Sequence, residues 1–317
     1  MSIYSPNIVT VSLNPSIDKG LEVPNFTIGA HQRGRRLFRR PAGKAVNVAR
    51  TLGKLKIPTM LIGFIGKAQQ DYFEHYINND WVSCQLFANV KKTRENITII
   101  DPVNRIETHI RDVGFEVSPA DLNRMRKKLS LLARPDTLVA FSGSLPPGLS
   151  IEDFIELVQI CQMNKARVAV DCSGKVLKAC EPLGLWMIKP NIEELSELTG
   201  QKVFTSDEII AAGRALREKV SVVLVSAGQE GAYLFTESVD LRGKLTIEAS
   251  EVKNTVGAGD AMLAGYIAGV TLGKDSAGCF IDALATAGAT ITARGPGEFK
   301  PEAVEALRQR AEISPLV

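Results

Sequence analysis

The seven residues from Asn254 to Asp260, Asn-Thr-Val-Gly-Ala-Gly-Asp, combine small side chains with a single carboxylate. The segment before them, 245–249, alternates enough between apolar and polar residues to predict a strand. The segment after them, 261–270, has no polar side chain except the hydroxyl of Tyr266, and it predicts a buried helix too short to span a bilayer. The motif is therefore expected where a strand connects to a helix.

Gly257, Ala258 and Gly259 are expected at the start of that helix, where small residues let a ligand approach the backbone closely. The first N–H groups of a helix have no internal partner and carry the positive end of the helix dipole, so they form a site for an anion such as phosphate. Asp260 then has two interpretations. It is either a helix cap or a general base that takes the proton from a hydroxyl attacking a phosphoryl group.

The overall composition bounds the class of protein. The chain has 317 residues, 45% of them apolar, which is enough for one large α/β domain or two ordinary ones. Its 38 Lys and Arg nearly balance its 35 Asp and Glu, which argues against nucleic-acid and membrane partners. It has no run of 18 apolar residues and no signal-peptide pattern, so we expect a cytoplasmic protein. Five scattered cysteines without a Cys-x-x-Cys pair predict free thiols.

From Asp121 onwards, predicted helices and strands alternate regularly, and the strands are apolar on both faces. This pattern predicts a single α/β domain, 1–317, with a mostly parallel central sheet covered by helices on both faces. Ligands in such sheets bind beyond the carboxyl ends of the strands. Polar or small residues follow the predicted strands there: Ser142–Ser144, Asp171, Lys189–Asn191, Ser226–Gly228 and Gly257–Asp260.

Two early segments, about 15–40 and 92–113, lack a core pattern. The first carries five arginines: Arg33, Arg35, Arg36, Arg39 and Arg40. This charge is typical of an exposed edge strand, and the alternative is a cover over an anionic ligand. The second predicts a hairpin, 97–110, and the segment carries three arginines, Arg94, Arg105 and Arg111. Two basic insertions of this kind suggest one small sheet that acts as a lid.

Two further motifs contain residues suited to phosphate or metal. Gly43-Lys44 begins a predicted helix with a small apolar face and is a second candidate contact for phosphate or sugar. In the motif Lys-Pro-Asn-x-x-Glu, Asn191 and Glu194 lie three residues apart at a predicted helix start. Such a pair either holds Mg²⁺ through water or simply caps the helix.

The motifs of several other enzyme classes do not occur. The chain contains no Gly-x-x-x-x-Gly-Lys followed by Ser or Thr and no protein-kinase signature. No Gly-x-Gly-x-x-Gly follows the first predicted strand, which disfavours a nicotinamide-dependent dehydrogenase. The absence of Gly-x-Ser-x-Gly disfavours an α/β-hydrolase.

Eight motifs, in order from Ile8 to about Gly297, resemble the ribokinase-like sugar kinases of the phosphofructokinase-B type. They match the branch of bacterial 1-phosphofructokinases, tagatose-6-phosphate kinases and minor 6-phosphofructokinases. The motifs are Thr10–Asp18, Ala42–Ala49, Thr93–Ile97, Ser142–Gly148, Asp171–Gly174, Lys189–Leu195, Ser226–Ala232 and Asn254–Asp260. Two other stretches, Gly114–Asp121 and Gln70–Phe73, are most similar to the 1-phosphofructokinases.

The resemblance implies a ribokinase-like fold with a small β-sheet lid, and ATP- and Mg²⁺-dependent phosphorylation of a hexose phosphate to a bisphosphate. Fructose 1-phosphate is the expected substrate, with tagatose 6-phosphate and fructose 6-phosphate as alternatives and a non-catalytic sugar-phosphate sensor as a more distant one. The lid often mediates dimerisation in relatives, so a homodimer is expected as well, and Arg33 or Arg35 could then reach a neighbouring subunit's site.

The resemblance also implies roles for individual residues. Asp260 is the base, and the backbone of 257–259 forms the anion hole. On the substrate side, four residues hold the sugar: Asp18, Gly43, Lys44 and Asn47. Arg94, together with Lys44 and Ser142, takes the phosphate already on the substrate. Six residues on the nucleotide side face ATP: Lys189, Asn191, Glu194, Ser226, Gly228 and Gly231. Of these, Asn191 and Glu194 lie near Mg²⁺.

Two positions depart from the family pattern. Ala45 stands where glycine is usual, and its methyl group is expected to narrow the sugar pocket or shift the backbone beside Lys44. Ala261 stands where Ser or Thr is common, at a position expected to serve packing only.

Overall fold

The computed structural model describes residues 7–316, and its strands coincide mainly with apolar segments of that range. Fourteen strands lie within it: β1 Ile8–Ser12, β2 Ser16–Glu22, β3 Arg35–Ala42, β4 Thr59–Gly66, β5 Val82–Asn89, β6 Arg94–Asp101, β7 Ile106–Ile110, β8 Leu138–Ser142, β9 Arg167–Asp171, β10 Met187–Ile188, β11 Val222–Ser226, β12 Ala232–Thr236, β13 Asp240–Leu245 and β14 Ala311–Pro315.

Ten α-helices connect these strands: α1 Lys44–Lys54, α2 Gln70–Ile77, α3 Pro119–Leu132, α4 Ile151–Met163, α5 Gly174–Cys180, α6 Ile192–Thr199, α7 Ser206–Arg217, α8 Ala258–Thr271, α9 Ser276–Ile291 and α10 Pro301–Arg308. Several helices begin with a capping box, in which the N-cap side chain and the side chain three residues later bond to each other's backbone. These local signals fix the residue at which each of these helices begins.

The large sheet has the strand order β14-β13-β12-β11-β10-β9-β8-β1-β4-β5. The strands from β11 to β5 are parallel, and β12, β13 and β14 continue the sheet in antiparallel fashion. Apolar side chains of α3, α4, α6 and α7 pack on one face of the sheet, and those of α1, α8 and α9 pack on the other. This arrangement confirms the predicted mostly parallel sheet with helices on both faces.

The strand predicted over 245–249 is wrong, because only Leu245 belongs to a strand and 246–257 form a loop. The apolar alternation in this segment has another cause. Leu245 and Ile247 pack against Gly288 of α9, where a Cβ would lie 2.2 Å and 3.3 Å from their terminal methyl groups. Arg310 anchors the loop through its Nη2, which lies 2.8 Å from Oε2 of Glu251.

Both early basic segments contribute to one separate four-stranded sheet, in the order β3-β2-β6-β7. Strand β2 pairs antiparallel with β3 and parallel with β6, and β6 forms the predicted hairpin with β7. Strand β3 lies at the edge of this sheet and carries four of the five arginines, which confirms the interpretation as a charged edge strand.

All five cysteines are free and buried, as predicted. Burial raises the pKa of the Cys84 and Cys161 thiols to about 12, so neither has the thiolate character that reactivity requires. None of the helices between residues 7 and 316 is long and apolar enough to cross a bilayer.

Candidate active site

Asp260 lies in the first turn of α8, at the carboxyl end of the parallel strands, and is only 6% exposed. The N-cap of this helix is Gly257, whose φ of 81° suits glycine and whose added Cβ would lie 2.7 Å from Pro296. Oδ2 of Asp260 accepts a hydrogen bond of 2.8 Å from Nδ2 of Asn47 on α1. Within residues 7–316, the carboxylate makes this bond and no capping bond to the helix backbone.

The environment of Asp260 suits a base that works near neutral pH. Burial, reinforced by the negative charge of Asp171, raises the pKa of Asp260 to about 6. The hydrogen bond from Asn47 and the positive charges of Lys44 and Lys189 act in the opposite direction. A carboxylate with such a pKa is still ionised at neutral pH and accepts a proton more readily than an exposed one.

Two lysines converge on one buried carboxylate beside Asp260. Nζ of Lys44 lies 3.1 Å from Oδ1 of Asp171, and Nζ of Lys189 lies 3.4 Å from the same oxygen. Lys44 also lies 3.9 Å from Oε1 of Glu194. Burial opposes the charged form of Lys44, yet the charges of Asp171, Glu194 and Asp260 raise its pKa above the ordinary value, so the ammonium stays protonated.

The ammonium group of Lys189 reaches the first turn of α8. A Cβ added to Gly259 would lie 3.2 Å from Nζ of Lys189. The positive charge therefore adds to the dipole and to the N–H groups at the start of this helix, of which those of Gly257 and Gly259 have no partner among the described residues. The result is a cationic surface suited to a phosphate, directly beside the carboxylate of Asp260.

Asn191 and Glu194 form a capping box at the start of α6. Oδ1 of Asn191 accepts from the N–H of Glu194 at 2.8 Å, and Oε2 of Glu194 accepts from the N–H of Asn191 at 2.9 Å. The capping-pair interpretation is thus confirmed. It does not use Oε1 of Glu194, which faces Lys44 and is available to a further ligand.

The other residues expected on the nucleotide side lie next to this cap. The N–H of Ser226, at the end of β11, donates to the carbonyl of Pro190 at 3.0 Å. Gly228 and Gly231, with φ of 58° and 96°, flank the turn into β12. An added Cβ at Gly231 would lie 2.1 Å from the carbonyl oxygen of Gly243, so the turn itself requires glycine.

On the substrate side, Asp18 projects from β2 of the small sheet. Its Oδ1 accepts hydrogen bonds of 2.9 Å from Oγ of Ser16 and 2.9 Å from Nδ2 of Asn96. Gly43, with φ of 122°, connects β3 to α1 directly before Lys44. Ser142 ends β8, and its buried hydroxyl has no partner among the described residues.

Arg94 begins β6 and donates to three backbone carbonyls. Its Nε bonds to Pro15 at 3.3 Å, Nη1 to Asp112 at 3.1 Å and Nη2 to Asn14 at 2.8 Å. A guanidinium has five N–H groups, so these bonds leave two for another ligand. Arg94 therefore ties the β1–β2 connection to the segment after β7, a structural task that the sequence does not reveal.

The two departures from the family pattern are both fully buried. Ala45 packs in an apolar cluster with Ile17 and Leu61, so its methyl group lies in the core and does not line the cleft. Ala261 is equally enclosed. The expectation that Ala45 narrows the sugar pocket finds no support in this arrangement.

Sequence reasoning missed the contact of Asp171 with both lysines. The one available signal was the position of Asp171 at the end of a predicted strand, which indicates that it faces the cleft but identifies no partner. Spacings of 127 and 18 residues along the chain contain no information about these contacts.

Comparisons with known proteins support the family resemblance that the sequence motifs indicate. Residues 12–303 match the pfkB family carbohydrate kinases. The 1-phosphofructokinase of Rhodobacter capsulatus is 33% identical over 317 residues, covering 98% of each chain. That of Bacillus subtilis is 30% identical over 266 residues, covering 83% of this chain and 86% of the relative.

Solved structures agree with the fold. Phosphofructokinase-2 from Escherichia coli, in complex with potassium, superposes with a TM-score of 0.90 at 22% identity, covering 96% of this chain and 98% of that one. Arabidopsis thaliana ribokinase, complexed with ribose and ATP, gives 0.75 at 22% identity, covering 96% and 99%. These similarities confirm the predicted ribokinase-like fold.

Proposed function

The chain belongs to the pfkB family of carbohydrate kinases, and we propose that it transfers the terminal phosphoryl group of ATP to fructose 1-phosphate, giving fructose 1,6-bisphosphate. Family membership makes the chain a phosphotransferase that uses ATP and a sugar hydroxyl as the acceptor. Relatives named 1-phosphofructokinase over nearly the full chain support fructose 1-phosphate ahead of tagatose 6-phosphate and fructose 6-phosphate.

The observation on which this proposal depends is the carboxylate of Asp260 in the first turn of α8, beside two ammonium groups. The base must accept a proton from the acceptor hydroxyl while the phosphoryl group moves onto that oxygen. Asp260 has one oxygen engaged by Asn47 and the other available to the hydroxyl. Its raised pKa of about 6 leaves it ionised at neutral pH, as this task requires.

The anion hole is the backbone of Gly257, Ala258 and Gly259, assisted by Lys189. Phosphoryl transfer depends mainly on alignment and on stabilisation of the charge on the transferred group. The N–H groups at the start of α8 are fixed by the helix, so they do not have to reorganise during the reaction. The ammonium of Lys189, next to Gly259, adds a full positive charge at the same point.

The sugar phosphate lies between the small sheet and α1 in this proposal. The carboxylate of Asp18 accepts hydrogen bonds from sugar hydroxyls, and Gly43 and Asn47 contact the sugar. Lys44, Ser142 and the two unused N–H groups of Arg94 take the phosphate already present. A guanidinium and an ammonium together suit a dianionic phosphate.

ATP lies on the other side of the transferred group, against Lys189, Ser226, Gly228 and Gly231. The residues expected near Mg²⁺ fit an ion held through water. Oε1 of Glu194 is not used by the cap, whereas Oδ1 of Asn191 already accepts a bond within it. When bound, Mg²⁺ neutralises charge on the nucleotide phosphates and usually keeps several of its waters. Glu194 is therefore the better candidate, and Asn191 acts by holding it.

The small sheet acts as a lid over the sugar phosphate and joins two subunits into a homodimer in the same proposal. The lid comprises about 15–40 and 92–113, and its strands β3 and β7 leave Leu37, Ile106 and Ile110 exposed. Exposed apolar side chains on the small sheet suit contact with a second copy. Sedimentation that detects only monomers across micromolar concentrations would contradict the dimer.

A coupled assay of ADP release across a panel of sugar phosphates tests the proposed function. We expect substrate-dependent ADP with fructose 1-phosphate at the highest kcat/KM, followed by tagatose 6-phosphate and fructose 6-phosphate. Fructose and ribose serve as unphosphorylated controls. A sugar-phosphate sensor, the second candidate, would bind members of the panel without releasing ADP, and a higher kcat/KM with another hexose phosphate would reassign the substrate.

A further inference from the structure

Asp171 has no role in the reaction as proposed, yet it is the most enclosed charged group of the cleft. It ends β9 and is 0% exposed. Burying a carboxylate without partners costs several kcal/mol, so a buried one is normally paired. Here the charges of Lys189 and Lys44 outweigh burial and hold the pKa of Asp171 below its ordinary value.

The two partners of Asp171 come from opposite sides of the cleft. Lys44 is the first residue of α1, on the side proposed for the sugar phosphate. Lys189 follows β10, on the side proposed for ATP, and reaches Gly259 at the start of α8. Both ammonium groups lie within 3.4 Å of the same oxygen, Oδ1. One atom thus fixes the two positive charges relative to each other.

We propose that Asp171 is a positioning residue that fixes the ammonium of Lys44, which takes the phosphate already on the sugar, relative to the ammonium of Lys189 at the start of α8, where the phosphoryl group passes from ATP to the sugar. This inference rests on the proposed kinase function. A lysine side chain is flexible and its ammonium is a point charge without directional preference, so it needs an anchor to stay in one position. Without Asp171, the nearest alternatives for Lys44 are the carboxylates of Glu194 and Asp260.

Asp171→Asn separates the positioning role from a binding role. The substitution keeps the shape of the side chain and both lysine charges, but removes the anionic anchor. Binding of the anionic substrates needs positive charge, and the variant keeps both lysine charges. The KM for ATP and the KM for the sugar phosphate should therefore stay within about threefold of wild type. Transfer needs the charges in fixed positions, so kcat should fall about 100-fold, the loss typical of a misplacement of about 1 Å.

Asp282 provides a matched control elsewhere in the fold. It is 2% exposed and also holds two cations, Lys274 at 2.8 Å and Arg308 at 2.7 Å, but it lies on α9, away from the cleft. Asp282→Asn removes the same kind of buried anchor and should lower Tm. Its kcat should remain within about threefold of wild type, because no ammonium of the cleft depends on it.

The experiment measures kcat, both KM values and Tm for wild type, Asp171→Asn and Asp282→Asn by ADP release. A fall in kcat confined to Asp171→Asn, with KM retained, supports the inference. Unchanged kcat, or raised KM at unchanged kcat, overturns it. If Asp171→Asn does not fold, Asp171→Glu replaces it, because this variant keeps the charge but displaces the carboxylate. A fall in its kcat with KM retained supports the inference, and an unchanged kcat overturns it. An inactive wild type would overturn the proposed function and this inference together.

Discussion

Nδ2 of Asn47 donates to Oδ2 of Asp260 across 2.8 Å, and this bond joins α1 to the first turn of α8. The family resemblance implies that Asn47 holds the sugar, and the structure gives it a contact with the proposed base as well. Both residues are at least nine-tenths buried, so the bond is shielded from water. It fixes the orientation of the carboxylate and leaves the other oxygen of Asp260 for the acceptor hydroxyl.

Asp260→Asn should lower kcat by about 100-fold to 10,000-fold, the range that a positioned general base contributes. Asparagine has nearly the same shape but cannot accept the proton at neutral pH. Binding of ATP should be largely retained, since the lysines and the helix N-terminus remain. Steady-state kinetics and calorimetric titration with an ATP analogue measure the two quantities. Near-normal turnover would remove Asp260 as the base.

The pH dependence of wild-type activity should reflect the raised pKa of Asp260. Because the base must be deprotonated, kcat/KM should rise with pH and reach half its plateau near the pKa of about 6. An exposed aspartate would give its half-maximum about two pH units lower. A profile with no acid limb between pH 5 and 7 (about one unit on each side of the expected pKa) would contradict this assignment.

Two substitutions beside Asp260 should move this acid limb in opposite directions. Asn47→Ala removes a donor that lowers the pKa of Asp260, so the limb should move to higher pH. Asp171→Asn removes a negative charge that raises this pKa, so the limb should move to lower pH. Lys44 and Lys189 also face Asp260, and in Asp171→Asn, where they lose their anchor, a closer approach to Asp260 would lower its pKa further in the same direction. Asn96→Ala, in the small sheet, is the control. Shifts in the same direction for both variants would exclude this electrostatic account.

The parallel core could be predicted from sequence because its central strands are mostly apolar on both faces, as in Leu138–Ser142. Strand β5 was not predicted, although its buried Val82, Cys84 and Leu86 alternate with the exposed Ser83 and Gln85 as in a half-buried strand. The antiparallel strands β12 to β14 were also missed. Of these three short strands only β14 lies at the sheet edge, and the pairing of all three depends on tertiary contacts that no local pattern encodes.

The candidate site could be predicted only where its residues are close together in the sequence. The run Gly257–Asp260 indicates a helix start and an acid, and the structure has both there. The family resemblance, carried by motifs in order, is confirmed by the match over 12–303. The convergence of Lys44 and Lys189 on Asp171 is a tertiary contact between three elements, which no local pattern encodes.

Gly259→Ala should impair catalysis without unfolding the protein. Alanine favours a helix over glycine by about 1 kcal/mol, so stability should be kept or slightly raised. The new methyl group would lie 3.2 Å from Nζ of Lys189, a flexible group that can move aside. It would also block the approach of an anion to the backbone N–H groups at the start of α8. We expect kcat/KM to fall at least about tenfold, an effect measured together with Tm.

Gly257→Ala should instead destabilise the fold. Its φ of 81° is unfavourable for alanine, and the Cβ would lie 2.7 Å from the ring of Pro296. Gly273→Ala is the matched control for backbone strain, because Gly273 has φ of 73° and no atom within 4 Å of an added Cβ. Denaturant unfolding should show a loss of about 1–3 kcal/mol for strain at each position and a further loss from the clash at Gly257 only. Equal losses in the two variants would indicate that the loop containing Pro296 moves to accommodate the new methyl group.

Arg94→Ala should lower both stability and affinity for the phosphosugar. The substitution leaves three carbonyls without their charged donor, so the free energy of unfolding should fall by about 2 kcal/mol or more. If the two remaining N–H groups bind the existing phosphate, KM should rise far more for fructose 1-phosphate than for fructose. Arg111→Ala removes an equal charge from an exposed neighbour and should change neither quantity appreciably. A loss of stability with equal changes in KM for both sugars would leave Arg94 a purely structural role, and the phosphate would then depend on Lys44 and Ser142.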